Sequence, residues 1–481
     1  MHHTKLIATL RTLDTRERTR WKQYVGADFF NKHKILRQLA GYILDFAPEF
    51  TDEKLDKRFV YPVLFGPAEE YNELKFNNLV SDLYELLLAW LAYTQYTATP
   101  LQQHLNAAAA LLDRNLDTPA QSVLAKTRVL LDRHPARTAR WQQYELNWWE
   151  AGEILVSRQS RRIAGAHLQR QAEAIDQAFV LEKLRLGAAQ ISRQRLAVVQ
   201  SDEQPRWLTD IRRWCATDPL LTGLPAVHVY LAALELLEKP SATTFDAFQA
   251  LLDSHYALFE KDELAALYQY ALNYCIHRIN DGHPDAYQQA LGLYRALLER
   301  DVLLRQGLLS QWTYKNITTT GLRSGAFAWT EQFLHQYRDT LPPAERDNAF
   351  AYNLAALFYE KQDFSATLMT LQNVEFTDFT YHLGAKILQL KCFYLLRETE
   401  ALGALLEATQ QLLRRNRSLS AFGKTANLNF LRLLRQLSVW AQREDRTPVE
   451  KWEQQRNGLF EKVRRLHPLA NKDWLLEMIE R

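Results

Sequence analysis

Glycine and proline are scarce in this chain, 16 and 15 of 481 residues, against usual shares of about 7% and 5%. That scarcity excludes collagenous and low-complexity classes. It also removes the punctuation that a protein of many short strands requires. Cysteine is scarcer still. Cys215, Cys275 and Cys392 are odd in number and far apart, which excludes a disulfide framework and a zinc-ligand spacing. Each falls within an apolar helical pattern, so they read as buried thiols in a reducing, cytoplasmic compartment. Charge of one sign is missing too: the formal net charge is +3 with 24% charged residues, neither a polyanion-binding composition nor a disordered one. The start, MHHTKLIATLRTLDTRERTR, has no continuous apolar core and no small-residue cleavage site, so it does not read as a signal peptide. The longest uncharged stretch, within 86–112, is broken by Thr97-Ala98-Thr99-Pro100, and no membrane span is expected.

What remains is a helix-forming composition. Hydrophobic residues make up 47%, and Leu, Ala, Gln, Glu and Arg dominate without sustained alternation, which predicts an all-α protein. At this length one core does not suffice, so about three domain-sized units or one long solenoid are expected. The informative stretch is 348–374. Its apolar residues Leu354, Ala355, Phe358, Phe364, Leu368 and Leu371 recur at helical spacing around the polar turn Glu360-Lys361-Gln362-Asp363. That pattern predicts two antiparallel helices, each with a face it cannot bury alone. It is similar to a tetratricopeptide repeat (TPR), with Thr367 standing where such a repeat prefers alanine.

Taken in order, 1–97 predicts a small helical N-terminal domain: helices from Lys5 to Tyr24 and from Lys34 to Phe46, a third capped by Thr51-Asp52-Glu53, and a longer fourth from Glu73 to Tyr93. Residues 1–40 carry nine Lys/Arg against three Asp/Glu. The outline is that of a helix-turn-helix or winged-helix core with Lys75–Leu83 in the recognition position. That helix offers mostly Asn, Ser, Asp and Glu, where phosphate contacts require Arg and Lys. Segment 98–204 predicts a linker bundle of long helices at 101–114, 118–132, 135–158 and 165–196. Trp141, Tyr144, Trp148 and Trp149 form a packed seam on the third of these. Segment 205–443 predicts TPR-like hairpins at 225–258, 263–299, 307–340, 345–374 and 380–416, followed by a block at 421–443; 444–481 supplies capping helices. Aligned on the turns Asp281-Gly282, Ser324-Gly325 and Gln362-Asp363, the hairpins place Asn273, Asn316 and Asn353 at equivalent positions, with Gln389 next. The spacings are about 43, 37 and 36 residues.

Several runs then combine. Tyr314-Lys315-Asn316-Ile317, Trp329-Thr330-Glu331-Gln332-Phe333, Leu341-Pro342-Pro343, Tyr352-Asn353-Leu354-Ala355 and Leu413-Arg414-Arg415-Asn416, with Tyr71-Asn72 and Asn78-Leu79-Val80-Ser81-Asp82-Leu83 near the start, resemble a family of uncharacterised Bacteroidota proteins with TPR-like helical repeats. The resemblance implies the helical-repeat fold and a cytoplasmic origin, and transfers no catalytic residue.

Chemistry-bearing constellations are not found in the sequence. There is no glycine-rich phosphate loop, Gly-x-Ser-x-Gly elbow or His-Glu-x-x-His helix, and His255, His277 and His283 lack partners at ligand spacing. No catalytic, cofactor or metal residue is expected. The asparagine series carries the most content, because an amide can donate and accept without the desolvation cost of a buried charge. In peptide-binding TPR modules an asparagine at this place, with nearby basic residues, holds a terminal carboxylate. Here Asn316 and Asn353 match by position, and Lys315 and Lys386 could supply charge; the other reading of the same amides is that they bridge neighbouring helices in the core. Arg414, Arg415 and Arg417 form a second candidate contact. The expectation is a non-enzymatic scaffold that binds a peptide or protein in the concave groove of a solenoid. The alternative is a nucleic-acid-binding regulator that uses the N-terminal domain.

Overall fold

The computed structural model describes residues 1–159, 166–196, 205–372, 378–416, 419–443 and 448–480. Among them the protein is all-helical, with 24 α-helices and no strand beyond a single bridge between Arg305 and Leu308. The chain divides into two compact units, residues 1–183 with 214–224, and residues 184–213 with 225–481.

In the first unit the helices Lys5–Arg11, Thr15–Gly26 and Lys34–Leu44 pack on the long helix Glu73–Thr97. The core they form includes Leu6, Leu10, Trp21, Leu39, Ile43, Phe76, Leu83 and Leu87. The sequence pattern runs Lys5 to Tyr24 as one helix; the structure makes two. Asp14 accepts from the Glu17 backbone at 2.7 Å while the Glu17 side chain accepts from the Asp14 backbone at 2.9 Å. This capping box starts a new helix at Thr15. Residues 1–97 contain no strand, so no wing is formed. Helices Pro100–Asp113, Asp117–Arg133 and Ala139–Gln159 pack together next in the chain. The expected aromatic seam is present: the indole N–H groups of Trp141 and Trp148 donate to the carbonyls of Leu131 and Leu124. Trp149 donates to Glu145, which also receives both terminal nitrogens of Arg128.

The second unit runs as paired helices. Pro225–Glu238 packs on Ala242–His255, Lys261–Asn280 on Asp285–Glu299, and Gln311–Arg323 on Phe327–Gln336. Arg346–Glu360 likewise packs on Phe364–Gln372, and Phe379–Leu395 on Thr399–Arg415. Successive first helices also touch, Gln311–Arg323 with Arg346–Glu360 and that helix with Phe379–Leu395. The turn inside four of these pairs has one construction. A residue with positive φ follows the first helix: Gly282 (φ 88°), Gly325 (φ 74°), Gln362 (φ 62°) and Arg397 (φ 59°). The N–H of the next residue reaches back five positions, as from Ala326 to Gly321 and from Asp363 to Phe358. This is the Schellman motif, which satisfies the last carbonyls and reverses the chain. Close approach inside a pair uses small side chains. Thr367 is fully buried with its hydroxyl donating to the Asp363 carbonyl at 2.8 Å, so it does the work of an alanine without leaving a polar group unpaired. Beyond the pairs, Ala421–Ala441 packs on the C-terminal helix Lys472–Glu480. Leu475, Met478 and Ile479 of that helix join Phe430, Leu434 and Leu437 in one core. The three cysteines are buried free thiols, and burial pushes those of Cys275 and Cys392 up to about 12. No helix of the described residues is long and apolar enough to cross a membrane.

Candidate functional site

The first helices of four pairs and the C-terminal helix together line an open chamber of about 940 Å³ in the second unit, with Ile279 entering from Lys261–Asn280. Arg346–Glu360 contributes Tyr352, Tyr359 and Glu360; Phe379–Leu395 contributes Gly384, Leu388 and Lys391; Gln311–Arg323 contributes Arg323; and Lys472–Glu480 contributes Asp473, Trp474 and Glu477. Positions on one helical face recur every three or four residues, as in Tyr352, Ala356, Tyr359 or Gly384, Leu388, Lys391, Leu395.

Lys391 is the unusual member. It is 9% exposed, with its ammonium at the chamber surface, and among the described residues no carboxylate lies within ion-pair distance of it. Instead it lies 5.3 Å from the Trp474 ring centroid and 6.0 Å from that of Tyr359. Those two rings are tied together, Trp474 Nε1 donating to the Tyr359 hydroxyl at 2.7 Å. Desolvation, with Arg323 adding to it, lowers the lysine to about 8, and Glu360 and Glu477 oppose the shift. Burial and these apolar surroundings disfavour the charged form more than the carboxylates favour it. Gly384 is required on the same wall, because a Cβ there would stand 2.8 Å from the Tyr352 ring and hydroxyl.

None of the eight sequence-derived candidates among the described residues lines this chamber. Asn353 is 1% exposed and donates to the Ala349 carbonyl of its own helix at 2.7 Å, and its amide reaches the Tyr381 hydroxyl. It is a core residue, closed off from a partner by Tyr381 and its neighbours. Asn316 is exposed, whereas Asn273 is half-buried, accepts from Gln269 at 2.8 Å and borders a separate cavity of about 360 Å³ with Tyr270 and His277. The three amides therefore share a register along the sequence but not an environment. Lys315 is half-buried among the rings of Tyr352, Tyr381 and Trp312, at 5.1, 5.2 and 6.0 Å, and burial lowers it from the ordinary lysine value. Lys386 and Gln389 are half-buried on the same helix as Lys391. Arg414 and Arg415 are exposed in the last turn of Thr399–Arg415; Arg417 lies outside the described residues. In the N-terminal domain Lys75, the cation of the expected recognition helix, is bonded to Glu69 at 2.6 Å, and Lys57 on the preceding helix Lys57–Phe65 is bonded to Glu73 at 3.0 Å.

Comparison of the chain with protein-family models, with curated proteins and with solved structures returned no match.

Proposed function

We propose that this protein is a non-enzymatic interaction scaffold. Its second unit is read as a TPR-like solenoid of helical hairpins, and the chamber between successive first helices receives a segment of a peptide or protein partner. One observation carries the reading: side chains from four consecutive first helices converge on one large chamber whose wall mixes aromatic rings with both signs of charge. A lining of rings and sparse charged groups suits an extended segment that inserts one or two anchoring side chains and leaves its backbone at the rim. The repeated Schellman turns support the repeat reading, since stacked units of one construction are what a solenoid requires. The buried free thiols fit a cytoplasmic setting.

Selection of peptides from a random display library on the full chain tests this. Arg323 is exposed and Glu360 half-exposed at the wall, so Arg323→Glu and Glu360→Arg leave the core alone. Selected peptides should change affinity by about tenfold, or about 1.4 kcal/mol, on at least one of these charge reversals while the melting curve stays unchanged. Selected peptides that bind both variants as they bind the native chain would exclude the chamber as the partner site.

A further inference from the structure

The scaffold reading uses the chamber as a shape and leaves its one buried amine without a role. A lysine withdrawn this far from bulk water normally acquires an ion pair or a set of hydrogen-bond acceptors, because desolvation disfavours its charged form otherwise. Lys391 has acquired neither. The groups that face it come from every neighbouring element: Arg323 from Gln311–Arg323, Tyr359 and Glu360 from Arg346–Glu360, Cys392 beside it on its own helix, and Trp474 and Glu477 from Lys472–Glu480. No carboxylate among the described residues comes within ion-pair distance of it, yet Glu360 and Glu477 line the same chamber. The amine is thus held at the wall of a cavity large enough for a small organic molecule, between two rings that present apolar faces and one fixed hydroxyl.

We propose that Lys391 is a nucleophilic amine that captures a small carbonyl compound, an aldehyde or ketone, inside the chamber as an imine. The amine lone pair attacks the carbonyl carbon and the carbon–oxygen π bond opens, giving a carbinolamine once a proton has passed from nitrogen to oxygen. The hydroxyl then leaves as water with a second proton, and the nitrogen lone pair forms the C=N bond. One carbonyl compound and one amine give one imine and one water, without oxidation or reduction. Glu360 and Asp473 are carboxylates of the chamber lining that can carry those protons. The protonated imine keeps a cation between Tyr359 and Trp474, where the ring faces favour it. A lysine on the surface is almost fully protonated near neutral pH and a poor nucleophile; desolvation is the established way to free its lone pair. Lowering to about 8 makes a substantial share of Lys391 neutral at physiological pH. The capture is stoichiometric, and it does not depend on whether the chamber also takes a peptide.

The test uses the full native chain, salicylaldehyde and, as a smaller probe, acetaldehyde, each with cyanoborohydride to reduce any imine to a stable secondary amine. Peptide mass spectrometry then compares Lys391 with the exposed Lys22 and Lys451. Near pH 7.5 Lys391 should be modified at least about tenfold faster, allowing burial to offset part of a neutral-amine advantage of about a hundredfold. Its rate should level off above about pH 8. Lys391→Arg, which retains the cation and cannot form the imine, should remove the fast phase. Modification of Lys391 no faster than Lys22 and Lys451 with both probes would overturn the proposal, and that comparison within one native chain needs no variant to fold.

Discussion

Lys391 also makes a claim about stability. Below pH 8 it is charged in the folded and the unfolded chain, and its burial is a standing cost. Between about pH 8 and the ordinary lysine value of about 10.4, the unfolded chain holds a proton that the folded chain has released, so this amine's contribution to stability rises with pH. Tyr314, Tyr359 and Tyr381, all raised by burial, act oppositely. Above about pH 10 the unfolded chain loses phenolic protons that the folded chain keeps, and stability falls. The buried thiols of Cys215, Cys275 and Cys392, raised by desolvation, also act oppositely from about pH 8.5, so denaturant melts should show a net fall above that pH which Lys391 partly offsets. Lys391→Met should steepen that fall and stabilise the protein below pH 8 by up to about 3 kcal/mol. Equal slopes for the native chain and the variant would show that the amine is solvated. The asparagines separate in the same way. Asn353→Ala leaves the Ala349 and Tyr381 partners behind and should cost about 1–3 kcal/mol, whereas Asn316→Ala on the exposed face should stay within about 0.5 kcal/mol; equal thermal shifts would contradict the burial difference. Sequence register alone could align these amides, because the turns fix position along each helix. It could not say which way each faces, since burial is decided across helices by partners such as Tyr381. Lys391 was visible as an anomaly, a charge within the apolar run Leu388-Gln389-Leu390-Lys391-Cys392-Phe393. Its aromatic neighbour Trp474 lies more than eighty residues on, beyond the reach of local patterning.

Elements were legible wherever a local signal ends them. The turns at Gly282, Gly325 and Gln362 were marked by Asp-Gly, Ser-Gly and Gln-Asp, and all three hold positive φ. The break at Asp14 was missed because the apolar spacing runs through it, although Asp14 and Glu17 stand at capping-box spacing. These turns also set a pattern of substitutions. Gln362 and Arg397 occupy a left-handed conformation that side chains disfavour, so Gln362→Gly and Arg397→Gly should each stabilise by up to about 1 kcal/mol, net of the extra freedom glycine gives the unfolded chain. Gly321→Ala should do the reverse. Its Cβ would stand 2.2 Å from the Thr330 hydroxyl, which is fully buried and bonded to the Ala326 carbonyl at 2.9 Å, so overpacking of about 1–3 kcal/mol is expected. Calorimetry on the three variants checks both signs. A stable Gly321→Ala protein would mean that the Gln311–Arg323 and Phe327–Gln336 helices are spaced more widely than described.

At the scale of the whole chain, two units with separate cores predict separable unfolding. Trp21 is completely buried in a core made only of residues from the N-terminal helices. Phe430 is completely buried in a core that joins Phe379–Leu395, Thr399–Arg415, Ala421–Ala441 and Lys472–Glu480. Truncating either ring to alanine should cost about 3–5 kcal/mol through lost burial and the cavity left behind. In the second unit the loss should spread to the chamber, because Trp474 packs on Phe430 at a centroid distance of 6.2 Å while its indole holds Tyr359. Helices that contact mainly their neighbours pass such a loss along the stack and not beyond it. Scanning calorimetry should thus resolve two transitions, with Trp21→Ala lowering one and Phe430→Ala the other. Imine capture at Lys391 should vanish with the Phe430-sensitive transition on heating and survive the Trp21-sensitive one. A single transition moved equally by both substitutions would mean that the two cores unfold as one cooperative body, and the chamber's stability would then have to be sought in the entire chain.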